Sequence, residues 1–145
     1  MQNQINKFKL INDTEEQREM LEKLFSQNLE DENNINVTAK HLGEVLSKGN
    51  LVEMITFEVT SDTEMMKLSI ESITNSMNSL KDVKAVVLKF TINPDIPAME
   101  LFKAITLLES LINQKILIVF GTQTNSNLAM SYVHTDAMVI YEEIN

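Results

Sequence analysis

Cysteine and tryptophan are both absent from this chain of 145 residues. Without cysteine there is no disulfide framework, no thiolate zinc site and no cysteine nucleophile, and nothing points to secretion. Glycine occurs three times and proline twice. That is too little glycine for a loop that cradles nucleotide phosphates, and neither GxGxxG nor GxxxxGKS/T is present. Basic residues are outnumbered, 12 against 21 acidic, for a formal charge of -9. Binding to a phosphate backbone depends on Lys and Arg neutralising phosphates, so nucleic acid is not an expected partner, and the acidity reads as a solvated surface. Long apolar runs are missing too. The stretch Ile116 to Phe120 is far too short to span a bilayer, and the N-terminal Met1-Gln-Asn-Gln has no charged-then-apolar signal pattern. The expectation is a cytoplasmic protein with no membrane partner.

What is present is a regular alternation of periodic segments, in a chain long enough to bury roughly 70% of the surface its unfolded form exposes. Residues 1–12 are taken as a polar N-terminal arm, with a short edge segment as the alternative. Asp13 with Glu16 marks a helix start, and Met20, Leu21, Leu24 and Phe25 place one apolar stripe on a helix over 13–28. Thr38 is suited to cap a second, shorter helix buried through Leu42, Val45 and Leu46, with Gly49 placed to end it in a left-handed conformation. Period two over 54–60 sets Ile55, Phe57 and Val59 against Thr56, Glu58 and Thr60, a half-buried strand. Ser61 or Asp62 is expected to cap a third helix whose stripe is Met65, Met66, Ser69, Ile70, Ile73 and Met77, closed by Leu80. A methionine stripe of this kind is either core or an adaptable groove; core is the commoner outcome.

The last third is the most ordered part. A strand over 83–92 leads through Asn93-Pro94-Asp95-Ile96-Pro97 into a helix with Met99, Phe102, Ile105, Leu108, Leu111 and Ile112 facing the sheet. A strand over 115–120 follows, then a polar turn from Gln123 to Asn127 and a final strand ending near Tyr141. Strand, helix, strand with short connections predicts a right-handed parallel crossover, and the turn allows an antiparallel neighbour. The predicted fold class is α/β (α+β): a two-layer sandwich over 50–145, with a four-stranded mixed sheet and two helices packed on it, preceded by a helical appendage over 13–49.

Several of these stretches carry a resemblance. Ile118-Val-Phe-Gly-Thr122, with the polar turn, Leu128 and a long strand, is similar to the "IIFGTxxDxxLxDxVxVTVIATG" stretch of the C-terminal domain of the FtsZ/tubulin family. Residues 84–92 and the helix containing Glu100-Leu101 resemble that family's "GARGVLxNIT…ExxEA" stretch, and Ile35-Asn-Val-Thr-Ala-Lys-His-Leu42 resembles its synergy loop, "INVDFADV". The resemblance runs from about Asp13 to Tyr141. It implies a docking domain whose GTP-binding companion has no counterpart in this sequence. It further implies that carboxylates of the synergy loop enter the neighbouring subunit's nucleotide site. Thr38 and His41 stand at those positions, and of the motif's polar residues only Asn36 agrees. A threonine hydroxyl stays neutral and cannot serve as the acceptor that orients a water for phosphoryl transfer. The resemblance therefore implies a chain that is not an enzyme and needs no cofactor. It binds or modulates a filament-forming GTPase of the same cell, or self-associates, through Asn36, Thr38 and His41.

Other chemistry is thinly represented. His134 and Asp136 lie two apart on a predicted strand, so they face the same way and are the candidates for a metal or base-orienter pair. No third ligand is visible beside them, and a polar strand edge at solvent is the commoner reading. Asp95 and Glu100 suit the positive end of a helix dipole, and Ser126 and Ser131 lack an adjacent base. The alternative to an interaction protein is a small-ligand or enzyme domain with its site at an oligomer interface.

Overall fold

The computed structural model describes residues 5–11, 39–77, 79–112 and 114–142. In chain order these form β1 (Ile5–Ile11), α1 (Ala39–Leu46), β2 (Leu51–Thr60), α2 (Met65–Ser76), β3 (Val83–Ile92), α3 (Ala98–Ile112), β4 (Leu117–Thr124) and β5 (Tyr132–Tyr141). The helix expected over 13–28, the cap at Thr38 and Asn36 lie outside the described residues. None of the described helices is long and apolar enough to cross a membrane.

The expected mixed sheet with two helices on one face is present, extended by a fifth strand. Its order is β1-β2-β5-β3-β4, with β3 and β4 parallel and every other pair antiparallel. The extra strand is β1, which pairs with β2 from Ile5 opposite Phe57 to Ile11 opposite Leu51; of the two expectations for residues 1–12, the edge segment is present rather than the polar arm. The crossover β3-α3-β4 joins parallel neighbours as the short connections require. The final strand is antiparallel but does not lie beside β4. It inserts between β2 and β3, and the β4–β5 loop steps over the end of β3, held there by Asn125 N–H to Ile92 O (3.0 Å) and Asn93 Nδ2 to Leu128 O (2.7 Å).

Two cores lie on opposite faces of the sheet. On one face α2 and α3 bury Ile70, Ile73 and Leu108 against Ile55, Val86, Leu88, Phe90 and Val139. Met66 and Met77 are part of this core, so the methionine stripe is interior packing. On the other face α1 sets Leu42, Val45 and Leu46, all fully buried, on Val52, Met54, Ala85, Val87, Met138 and Ile140. The helix expected second in the chain, α1, is thus a layer on the sheet's far side, and residues 85–88 of β3 and 137–141 of β5 read as continuous apolar runs because this end of the sheet is covered twice.

Local chemistry departs from expectation at four points. Gly49 has no positive φ; glycine is needed there because a Cβ would collide with the Tyr141 carbonyl, so the backbone after α1 runs directly against the end of β5. Neither Ser61 nor Asp62 caps α2. Ser61 Oγ instead donates to Thr63 O (2.7 Å) in a local turn, and the cap position is Glu64, left-handed at φ 53°. Leu80 lies in a short 3-10 turn, Leu80–Asp82, and is exposed. On α3 the buried face is Leu101, Ala104, Leu108 and Ile112, leaving Met99 and Phe102 exposed. Two apolar stripes compete on that helix, and packing against α2 and the sheet selects the one that carries Ala104, whose small side chain suits the close approach to α2.

Candidate functional site

Strand periodicity decides what lies beyond α1 on its face of the sheet. Stepping by two from the residues under α1, β2 passes from Met54 to Thr56 and Glu58, β5 from Met138 to Asp136 and His134, and β3 from Val87 to Lys89 and Thr91. The register then sets Thr56 opposite Asp136 opposite Lys89, and Glu58 opposite His134 opposite Thr91. One half of this face is apolar and roofed by α1; the other half is a polar cluster.

At the centre of the cluster is His134. Its Nδ1 is 3.1 Å from Glu58 Oε1 and its Nε2 3.1 Å from Asp136 Oδ1. Thr56 Oγ1 donates to the same Asp136 oxygen at 2.9 Å, and the Tyr132 hydroxyl donates to Glu58 Oε1 at 3.1 Å. The hydrogen bond to Asp136 pushes the His134 pKa up; burial opposes this, and the charge of Asp136 and the Glu58 carboxylate reinforce it. Burial alone would push the Asp136 carboxyl up, yet it is held below the usual range by the hydrogen bond and charge of His134, by Thr56 and by Lys89. The Tyr132 phenol is pushed up, first by burial and then by its bond to Glu58 and the nearby carboxylate charges. The arrangement is a charge-assisted clasp joining β2 to β5.

The sequence pair His134 and Asp136 is therefore brought together, on an inner strand rather than a solvent edge. The third group, Glu58, escapes sequence reasoning because it comes from a strand more than seventy residues away, |i−j| 76. The period-two polar face of 54–60 was the available signal, without a register to use it. In the imidazolium form both ring nitrogens donate to carboxylates, which leaves no lone pair for a metal. Among the described residues no group of three or more His, Asp or Glu is placed to hold a metal ion.

Of the partner-binding trio, the described residues place His41 alone, exposed on the first turn of α1. Two cavities lie away from both histidines. One of about 370 Å³ is lined by Ser61, Asp62, Glu64, Met65, Ile96, Pro97, Glu100, Met130 and Ser131. Another of about 300 Å³ lies between α2 and α3, flanked by the exposed pairs Lys67–Glu64 (3.9 Å) and Lys103–Glu100 (3.6 Å).

No protein-family model and no curated protein matches this sequence. Solved structures do match the architecture just described. An empty FtsZ dimer from M. jannaschii aligns with a TM-score of 0.57 and 18% identity over 72% of this chain and 31% of its own. The fold is FtsZ-like. A second M. jannaschii FtsZ structure, a Trp-to-Tyr mutant, gives a TM-score of 0.60 and 18% identity over 73% of this chain. This chain thus spans about a third of FtsZ, 31% and 32% in the two structures. E. coli HypE, a hydrogenase maturation protein, aligns more loosely, with a TM-score of 0.45 at 14% identity. At these identities the likeness to FtsZ is one of fold. Of the segments that resemble the FtsZ/tubulin C-terminal domain, residues 84–92, Glu100-Leu101 and 118–128 lie on β3, α3, and β4 with the loop after it, and 39–42 lie on α1, while 35–38 are outside the described residues.

Proposed function

We infer that this chain is a non-hydrolysing FtsZ-like module that works in the cytoplasm by binding a filament-forming GTPase subunit or by self-association. The observation that carries this reading is the FtsZ-like fold combined with Thr38 and His41 at the positions where the resemblance implies carboxylates. Glycine placement supports it. Gly43 lies within α1, Gly49 lies against the Tyr141 backbone and Gly121 lies within β4, so none of the three is in a strand-to-helix loop that could hold phosphates. Docking would use the start of α1, where His41 is exposed, together with Asn36 and Thr38.

The test is sedimentation with the filament-forming GTPase of the same cell. Co-pelleting, or a change in polymer mass or GTP turnover, is expected, and replacing Asn36 and His41 by Glu should weaken it unless the partner's face is basic. No co-pelleting, no change in assembly and no self-association would overturn the reading. The 370 Å³ cavity favours one second reading, a small-ligand domain, since its size lies in the range of ligand sites. A metabolite that raises the melting temperature in a thermal-shift screen would support that reading instead.

A further inference from the structure

β4 ends the sheet, pairing only with β3 among the described residues. Exposed edges usually carry a charge, a proline or a bulge that discourages pairing with another chain. This one has none of these. Leu117–Thr124 is eight residues without proline or charge, its pairing with β3 is regular, and no Asp, Glu, Lys or Arg occurs anywhere between Lys115 and Asp136, in a chain that is 23% charged.

The flank of the edge is apolar. Ile118 and Phe120 are only partly buried there, and Phe120 meets the exposed Phe102 of α3 edge-to-face, with ring centroids 6.2 Å apart. Phe102 is 56% and Met99 62% exposed, so the apolar surface continues from the strand onto the helix above it.

We propose that the Leu117–Gly121 edge of β4, flanked by Phe102 and Phe120, is a self-association surface on which a second copy of this chain pairs its own β4 antiparallel. Charge decides the occupant. Two copies each carrying a formal -9 repel over most of their surfaces, and the charge-free edge is where they can meet without opposing like charges. Antiparallel pairing of one edge with itself is isologous, so it closes at two subunits. The outward N–H and C=O groups then enter a ladder, and the two Phe102–Phe120 pairs lie over the seam. This inference rests on the self-association branch of the functional reading and is independent of the GTPase branch.

Sedimentation equilibrium of the full chain over a range of concentrations tests it, with Phe102→Glu and Ile118→Lys as edge variants and Leu68→Glu, on exposed α2 surface, as control. The wild type and control are expected to form dimers. Both edge variants, with circular dichroism unchanged, are expected to dissociate at concentrations at least about tenfold higher, because each substitution buries a charge twice across the seam. Hydrogen exchange needs no variant: amides of residues 117–121 should slow as wild-type concentration rises. A wild type that stays monomeric, or a dimer that survives in both edge variants without concentration-dependent protection at 117–121, overturns the proposal. Co-pelleting of a monomer with the GTPase would overturn the edge assignment while sustaining the functional reading. A dimer lost in the edge variants, in a protein with no effect on the GTPase, would do the reverse.

Discussion

His134 and Asp136 stand on the same face of β5 with Nε2 and Oδ1 3.1 Å apart, while the other ring nitrogen reaches across to Glu58 on β2. At 27% and 30% side-chain exposure they are better shielded than Glu58 at 46%, so the link within β5 is the less screened of the two.

This clasp makes stability depend on pH in a defined window. The imidazole is pushed up, so its contribution is complete below its ordinary value of 6.5 and is lost as pH rises through the folded value. The Asp136 carboxyl is pushed down, so its contribution is complete above 3.8 and is lost as pH falls through the folded value. His134→Gln should therefore cost about 1 kcal/mol by urea denaturation between those limits, and less at about pH 8.5. A cost independent of pH would show that His134 is not charged in the folded protein.

Two glycines should respond oppositely to alanine. Gly43 has nothing within 4 Å of an added Cβ and lies in a helix, so Gly43→Ala should raise stability by about 0.5–1 kcal/mol. Gly49→Ala drives a Cβ into the Tyr141 backbone, where Asn50 N–H also bonds Tyr141 O at 3.0 Å, and should cost more than about 2 kcal/mol. Thermal melts of the two variants check both signs.

Ser69 Oγ and Thr135 Oγ1 share a buried hydrogen bond of 2.8 Å between α2 and β5. Thr135→Val alone leaves the serine hydroxyl stranded and should cost about 1–3 kcal/mol. Adding Ser69→Ala removes the stranded group, so the double variant should recover part of that loss. A double-mutant cycle with no coupling would contradict the pairing.

On α3, Leu101→Ala should cost about 2–4 kcal/mol, because that side chain is 4% exposed in the main core. Met99→Ala, one position round the helix from Ala98 and 62% exposed, should stay within about 0.5 kcal/mol. Equal losses at the two positions would mean the helix is turned the other way on the sheet.

That last contrast shows where sequence reading stops. The crossover β3-α3-β4, the strand around Ile55, Phe57 and Val59, and the buried face Leu42, Val45 and Leu46 are all legible, because a single periodicity fits each. α3 carries apolar residues on too many sides, so only contact with α2 and the sheet selects Leu101 and Ala104 over Met99 and Phe102. The placement of β5 between β2 and β3 was not legible, because strand order is a tertiary choice that local pattern does not encode. The same choice hid half of the candidate site. His134 and Asp136 are visible as a pair, but Glu58, Thr56 and Lys89 join them only once that order is known.

The strand order also constrains how the protein can form. β5, the last strand in chain order, supplies the inner partner of both β2 and β3. During synthesis those two strands must wait on the ribosome with facing sides unsatisfied until Tyr132–Tyr141 emerges, so the sheet cannot close step by step behind the growing chain. Folding is therefore gated by the final strand, and a nascent chain halted after β4 would expose the unpaired sides of β2 and β3 to whatever chaperone or neighbour meets them first.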